Sequence, residues 1–324
     1  MKQIALDRFG IDEIISLYKD KSVIKVLQGI RRSGKSFMLE LLSRKIMEKG
    51  AAENQILLLN MEDFENAELL DAKKLYDFIK SKSEAAGGKK LYLFLDEVQE
   101  VSGWEKLVNS LYSSATIDAD IYITGSNANL LSSELATYLS GRYVLIHVWP
   151  LSYREFLYFN SENDSAAAFR KFIEFGGFPG LKDMMENHVQ IRSYLEGIYS
   201  TVLLKDVIAR NRIRDTAVLE KIILYIADNT GNIFSTKRIS DFMKSGGRPL
   251  SVETIYNDIK YLENALVLHK VPRYDVRGKK ILETMEKYYL ADQGLLTFLH
   301  GYKDTYINGI LENIVFIELL RRGY

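Results

Sequence analysis

An α/β fold built on a parallel sheet, followed by a helical segment and a winged helix-turn-helix, is the fold class this sequence predicts. Three observations predict it. Short apolar runs rich in β-branched residues alternate with helical stretches through residues 1–150, as strands joined by crossover helices require. A glycine-rich loop, Gly29-Ile30-Arg31-Arg32-Ser33-Gly34-Lys35-Ser36, lies between the first such run and the first long helix. Beyond residue 150 the β signal fades, helical periodicity takes over, and β-like runs return only within 267–290.

The strands expected from the apolar runs are residues 23–27, 55–59, 91–95, 121–124 and 143–147. Helices are expected over 36–48 and 72–82, with a polar loop over 83–88 at the surface. Helical periodicity through 151–211 is broken by Gly176-Gly177-Phe178-Pro179-Gly180, a turn between helices. Helices follow over 218–228, 236–243 and 252–264, then β-like runs over 267–274 and 280–290, joined at Asp275-Val276-Arg277-Gly278 as a hairpin turn. Residues 310–321 read as a helix that is apolar nearly all round, which implies burial on more than one face. The expected domains are therefore a core over 1–150, a helical lid over 151–214, a winged helix over 215–300, and the first helix of a further domain over 301–324.

Composition sets bounds. At roughly 150 residues per domain, a chain of 324 holds two or three domains. Lys+Arg and Asp+Glu both number 43, so contact with nucleic acid or membrane must come from a local patch, not from the whole-chain charge. The absence of cysteine excludes disulfides, iron–sulfur clusters and thiol catalysis. The charged start lacks a signal peptide's apolar core, and no apolar run approaches the ~18 residues of a spanning helix, so the expected location is the cytoplasm. His147, His188, His269 and His300 are scattered without zinc-ligand spacing.

The glycine-rich loop reads as a nucleotide phosphate cradle for ATP or GTP with Mg2+. Glycine lets the backbone approach phosphate oxygens, the helix start aims N–H groups at them, and a lysine adds a point charge. Gly29, Arg32, Ser33, Gly34, Lys35 and Ser36 are the expected nucleotide contacts, with Lys35 bridging β and γ oxygens and the Ser36 hydroxyl on Mg2+. Whether Arg31 and Arg32 instead face packing or a partner stays open. The strand 91–95 ends in Asp96-Glu97, where Asp96 is expected to hold Mg2+ and Glu97 to polarise the attacking water. Asn127, past the strand 121–124, is expected to meet the γ-phosphate or the water. Arg142 is a candidate sensor or finger for γ-phosphate charge, with a surface salt bridge as its rival reading.

These residues, together with Leu95 to Glu105, Thr124-Gly125-Ser126-Asn127, Leu139-Ser140-Gly141-Arg142, Pro150 to Phe156 and Gly176-Gly177-Phe178-Pro179, resemble the AAA-like ATPases of bacteria and archaea that carry a winged helix and a C-terminal domain of unknown function. The resemblance spans nearly the whole chain. It implies an additional-strand P-loop NTPase related to the STAND group, with strand order 5-1-4-3-2, then a helical lid and the winged helix, and ATP as the nucleotide. Such proteins continue past patterns like Glu312-Asn313 and Arg322-Gly323-Tyr324 into a restriction-endonuclease-like fold. Here the expectation is that only its first helix is present, so nuclease activity is not carried over.

In the helix over 252–264, Val252, Ile255, Ile259 and Leu262 form the expected buried stripe, leaving Thr254, Asn257 and Lys260 outward as contacts to double-stranded DNA. Residues 235–280 hold ten Lys/Arg against five acids, which favours DNA, while Glu253 and Asp258 on the same helix oppose it. A protein-docking wing and self-association remain alternatives. The expected function is slow Mg-dependent ATP hydrolysis driving a conformational switch that regulates a DNA or protein partner. The rivals are a DNA-binding regulator with structural nucleotide and a P-loop kinase of a small acceptor.

Overall fold

The computed structural model describes residues 10–125, 139, 141–213, 215–275, 280–301 and 306–324. The chain divides into two compact units, one holding residues up to Gly29 and Gly34–Val148, the other Ile30–Ser33 and Trp149–Tyr324.

In the first unit, β1 (Ile24–Gln28), β2 (Ile56–Asn60), β3 (Leu91–Asp96), β4 (Ala119–Gly125) and β5 (Tyr143–His147) form a parallel sheet in the order β2-β3-β4-β1-β5. Read from the other edge, this is the expected 5-1-4-3-2. Strand side chains alternate between faces. Leu91, Leu93 and Leu95 therefore join Ile24, Val26, Ile121 and Ile123 beneath α3 (Ala72–Ala85) and α4 (Trp104–Tyr112). Tyr92 and Phe94 instead join Leu27 and Tyr122 beneath α1 (Ile11–Tyr18) and α2 (Lys35–Glu48). With both faces covered, β1 and β3 are buried throughout, which is why they read as continuous apolar runs.

The expected loop over 83–88 begins later than the sequence suggested. Ser83 extends the buried stripe Leu75, Ile79 and Ser83 one more helical turn, so α3 runs to Ala85. At the sheet's amino edge the buried Lys25 ammonium pairs with Asp120, which also accepts from the Asp20 N–H at 2.9 Å and the Tyr122 hydroxyl at 3.2 Å.

The second unit contains helices Tyr153–Asn160, Ala166–Phe175 and His188–Thr201, the last running on into a π-helical segment, Val202–Ala209. Helices Thr216–Asp228, Thr236–Ser245 and Val252–Asn264 follow, then antiparallel β6 (Leu268–Asp275) and β7 (Lys280–Leu290), and helices Gln293–His300 and Ile307–Arg321. Residues 276–279 of the expected hairpin turn lie outside the described residues.

The Gly176-Gly177 turn is tied down by close approach. A Cβ on Gly177 would sit 2.3 Å from the Leu151 carbonyl oxygen, while the Gly177 N–H donates to Asp292 at 2.8 Å. Asp292 also accepts from the Gly294 N–H at 2.7 Å, and its full burial pushes its pKa up to about 6.

The last helix corrects the expectation of burial on several faces. Its buried stripe is Ile310, Asn313 and Ile317, while Leu311, Val315 and Leu319 are 36%, 57% and 44% exposed. Asn313 fits this apolar stripe because its amide meets both the N–H (2.8 Å) and the C=O (3.0 Å) of Leu290.

Candidate nucleotide site

Strand register sets the site. Gln28 lies opposite Gly125 and His147, Leu95 opposite Ile123, and Asn60 opposite Asp96, so the glycine-rich loop, the paired acids and the end of β4 leave one carboxyl edge of the sheet. Open α/β sheets bind ligands at that edge.

Within the loop the Ser33 N–H donates to the Ile30 carbonyl at 3.1 Å, and Arg32 (φ 69) and Gly34 (φ 96) are both left-handed. Such reversals turn successive N–H groups towards one concavity, and Gly34, lacking a side chain, leaves the first N–H groups of α2 facing it. Ile30–Ser33 pack with the second unit: Ile30 belongs to its apolar cluster, and Arg31 Nε lies 3.3 Å from Asp206 in the π-helical segment.

Lys35 is 4% exposed; its ammonium donates to the Gly29 carbonyl at 3.1 Å and lies 3.7 Å from a Glu97 carboxylate oxygen. Asp96 is buried on the α2 face of the sheet. The Thr124 hydroxyl donates a short hydrogen bond to it and the Ser36 hydroxyl also bonds it. Burial raises the Asp96 pKa; those hydroxyls and Lys35 oppose the rise, and the neighbouring Glu97 adds to it.

Thr124 accepts from the Glu97 N–H at 2.9 Å, so one hydroxyl joins both acids. Glu97 is left-handed (φ 50, ψ 49), a costly conformation for a residue with a Cβ, and its carboxylate accepts from Gln99 Nε2 at 2.5 Å.

The donor set fits the expected cation. The Ser36 hydroxyl and the Asp96 carboxylate are hard oxygen donors side by side, and a divalent cation would offset the cost of keeping Asp96 ionised in a buried place.

The other sequence-expected residues fall elsewhere. Arg32 is exposed on the loop. Asn127 lies outside the described residues. Arg142 is corrected: it precedes β5, whose Tyr143 pairs with Ile24 at the start of β1, so it sits at the amino edge, away from the phosphate loop. There it donates to Asn109 at 2.6 Å and lies 5.5 Å over the Tyr112 ring.

Two site residues were missed. Thr124 carried a signal in the period of two, since it and Asp96 both lie near the carboxyl-terminal ends of their strands on the α2 face. Gln99 carried none beyond its place two residues after Glu97, because only the left-handed turn brings them together.

On the helix Val252–Asn264, Thr254, Asn257 and Lys260 are exposed. Two expectations are corrected. Val252 is 46% exposed because it follows the N-cap Ser251 in the first turn, beyond the stripe Ile255, Ile259 and Leu262. Asp258 is buried with that stripe, not beside Lys260, and desolvation followed by repulsion from Asp215 raises its pKa to about 6.

Residues 21–157 match the model of an AAA domain, and residues 166–306 match a domain of unknown function, DUF8612. An uncharacterized protein of Haemophilus influenzae is 41% identical over all of this chain, which spans 81% of that protein. An uncharacterized protein of Methanocaldococcus jannaschii is 30% identical over 93% of this chain, which spans 67% of it. This chain belongs to their family, and its residues 21–157 form an AAA domain. AAA-type ATPases bind and hydrolyse nucleotide. A Walker-type ATPase of Pyrococcus abyssi shares its fold at a TM-score of 0.63 and 15% identity, over 91% of this chain and 95% of that one. No described helix is long and apolar enough to cross a membrane.

Proposed function

We propose that this AAA-type ATPase is a Mg2+-dependent ATP switch that regulates contact with double-stranded DNA. The observation that carries the hydrolytic half is the chain of hydrogen bonds Glu97 N–H to Thr124 to Asp96 beside the buried Lys35. Lys35 exchanges the Gly29 carbonyl for β and γ oxygens, and the backbone from Gly29 to Ser36 holds the phosphates. Ser36 and Asp96 would hold Mg2+, which when bound would neutralise charge developing on the phosphates. Glu97 takes a proton from the water that attacks the γ-phosphorus.

The domains in this reading are the ATPase core over 1–150, a lid over 151–214, a winged helix over 215–300 and the start of a further domain over 301–324. Ile30–Ser33, packed with the helical unit, carry the nucleotide state out of the loop. The DNA half rests on the exposed Thr254, Asn257 and Lys260 with Lys237, Arg238, Lys244 and Arg248 exposed nearby, and on Asp258 being withdrawn from that face.

Lys35→Ala should weaken ATP binding about tenfold to a hundredfold, as expected for losing a charged hydrogen-bonding partner. Unchanged ATP affinity by calorimetry would remove the cradle. For the switch, duplex DNA binding is measured with and without ATP across a salt series. Lys260→Ala should lower the salt slope by about one. DNA affinity indifferent to ATP favours the rival regulator with structural nucleotide, and no DNA binding at any salt turns the wing towards a protein partner.

A further inference from the structure

We propose that Gln99 is a positioning residue for hydrolysis, orienting Glu97 with its amide N–H and accepting a hydrogen bond from the attacking water on its own carbonyl oxygen. The inference rests on the reading of Glu97 as the base. Gln99 Nε2 donates to Glu97 Oε2 at 2.5 Å, a charge-assisted contact that holds one carboxylate oxygen. Which end of an amide is nitrogen follows from its partners. Facing a carboxylate, the end towards Glu97 must be the donor, so the acceptor end is Oε1. That oxygen is buried and, among the described residues, has no hydrogen-bond partner, although it lies in the same amide as the nitrogen that holds the base.

A buried acceptor left without a donor costs about 1–3 kcal/mol and calls for an explanation. A water beside Glu97 supplies the missing donor. It has two protons: Glu97 accepts one as the oxygen bonds to the γ-phosphorus, and the other stays on that oxygen, directed at Gln99 Oε1, and leaves with the inorganic phosphate. The phosphoanhydride bond breaks with its electron pair on ADP. Glu97 and Gln99 together thereby fix the water's roll as well as its position, and a lone carboxylate fixes only the latter.

The backbone prepares this pairing. Glu97 is left-handed and opens the short 3-10 turn Val98–Glu100, which carries Gln99 back beside the carboxylate two residues earlier. Thr124 fixes the Glu97 N–H from the other side. The strain at Glu97 is thus maintained by one contact on its main chain and one on its side chain.

The test compares Glu97→Gln, Gln99→Leu and the double variant, measuring ATP affinity by calorimetry, kcat, KM and Tm. Gln99→Leu should lower kcat about a hundredfold, the scale of misplacing a reacting group by an ångström, with ATP affinity within twofold of the parent. The double variant should lose clearly less than the product of the two single losses, because Gln99 holds Glu97 and shares the same water with it. Gln99→Leu with the parent's kcat, or a double variant slower than Glu97→Gln by the full Gln99→Leu factor, overturns the proposal. If Glu97→Gln itself turns over at the parent's rate, the assignment of the base is what fails. Gln99→Asn, which keeps both amide groups on a shorter arm, should recover part of the lost kcat. A Gln99→Leu loss matched by a fall in Tm and left unrecovered by Gln99→Asn marks a packing role and overturns the proposal.

Discussion

Asp96 and Asp120 lie on the same face of one sheet, at its two edges, and both are 3% exposed. Asp120 is closed off: the Lys25 ammonium, the Asp20 N–H and the Tyr122 hydroxyl surround it, and Lys25 itself is held below its usual pKa by desolvation. Asp96 is held by hydroxyls, those of Thr124 and Ser36, and burial raises its pKa. Equal burial therefore produces two different things. A buried acid facing a fixed cation is architecture, while one facing hydroxyls that can rotate is open to a new partner, the metal ion proposed for Asp96. The exchangeability of the partners separates the two, and burial does not.

Substitutions sharpen this contrast. The largest effect is expected at Asp96. Asp96→Asn should reduce Mg2+-dependent turnover by about a thousandfold, roughly 4 kcal/mol of barrier. The nucleotide-free protein should keep or slightly raise its Tm, because a desolvated carboxylate has been removed. A large Tm loss in the metal-free state would place Asp96 with Asp120 as architecture.

Asp120→Ala should do the reverse. Leaving Lys25 buried and unpaired should cost about 3–5 kcal/mol of stability in denaturant titrations. A double replacement, Lys25→Met with Asp120→Leu, should recover most of that loss. If Asp120→Ala alone is neutral, the pair carries no structural weight.

The smallest effect is expected at Asp258, a buried acid of the second unit that faces Asp215 in place of a cation. Its folded pKa of about 6 lies above the ordinary aspartate value of 3.8, so the native state binds the extra proton between those values. Stability then falls as pH rises from about 4 to about 6.5, costing about 2–3 kcal/mol by pH 8. Asp258→Asn should flatten that slope, leaving the variant the more stable of the two at pH 8 and equal to the parent near pH 4. A parent curve with no such slope would refute the assignment.

Much of the nucleotide unit was legible because its signals are local. A glycine-rich loop between strand and helix, and two acids at a strand end, are fixed by neighbours in sequence. The central strands β1 and β3 read as continuous apolar runs because both of their faces are buried. Less legible was whatever depends on distant partners. Arg142 looked like a sensor because it follows Leu139-Ser140-Gly141, but parallel pairing of β5 with β1 carries it to the amino edge beside Asn109. Asp258 read as a surface acid until the helix's packing turned it inward, and the last helix read as buried all round until Asn313 proved to mark its one docked stripe.

The sequence by itself determined the α/β class, the glycine-rich loop before α2 and the paired acids at the end of β3, since backbone reach and charge act over a few residues. Tertiary structure alone decided that Thr124 joins Asp96 to Glu97, that Gln99 meets the Glu97 carboxylate, and that Asp120 is sealed by Lys25. The physical reason is that a side chain's chemistry is set by the groups within hydrogen-bonding distance. For a buried acid those groups come from strands and turns tens of residues away, placed by register and by one left-handed residue.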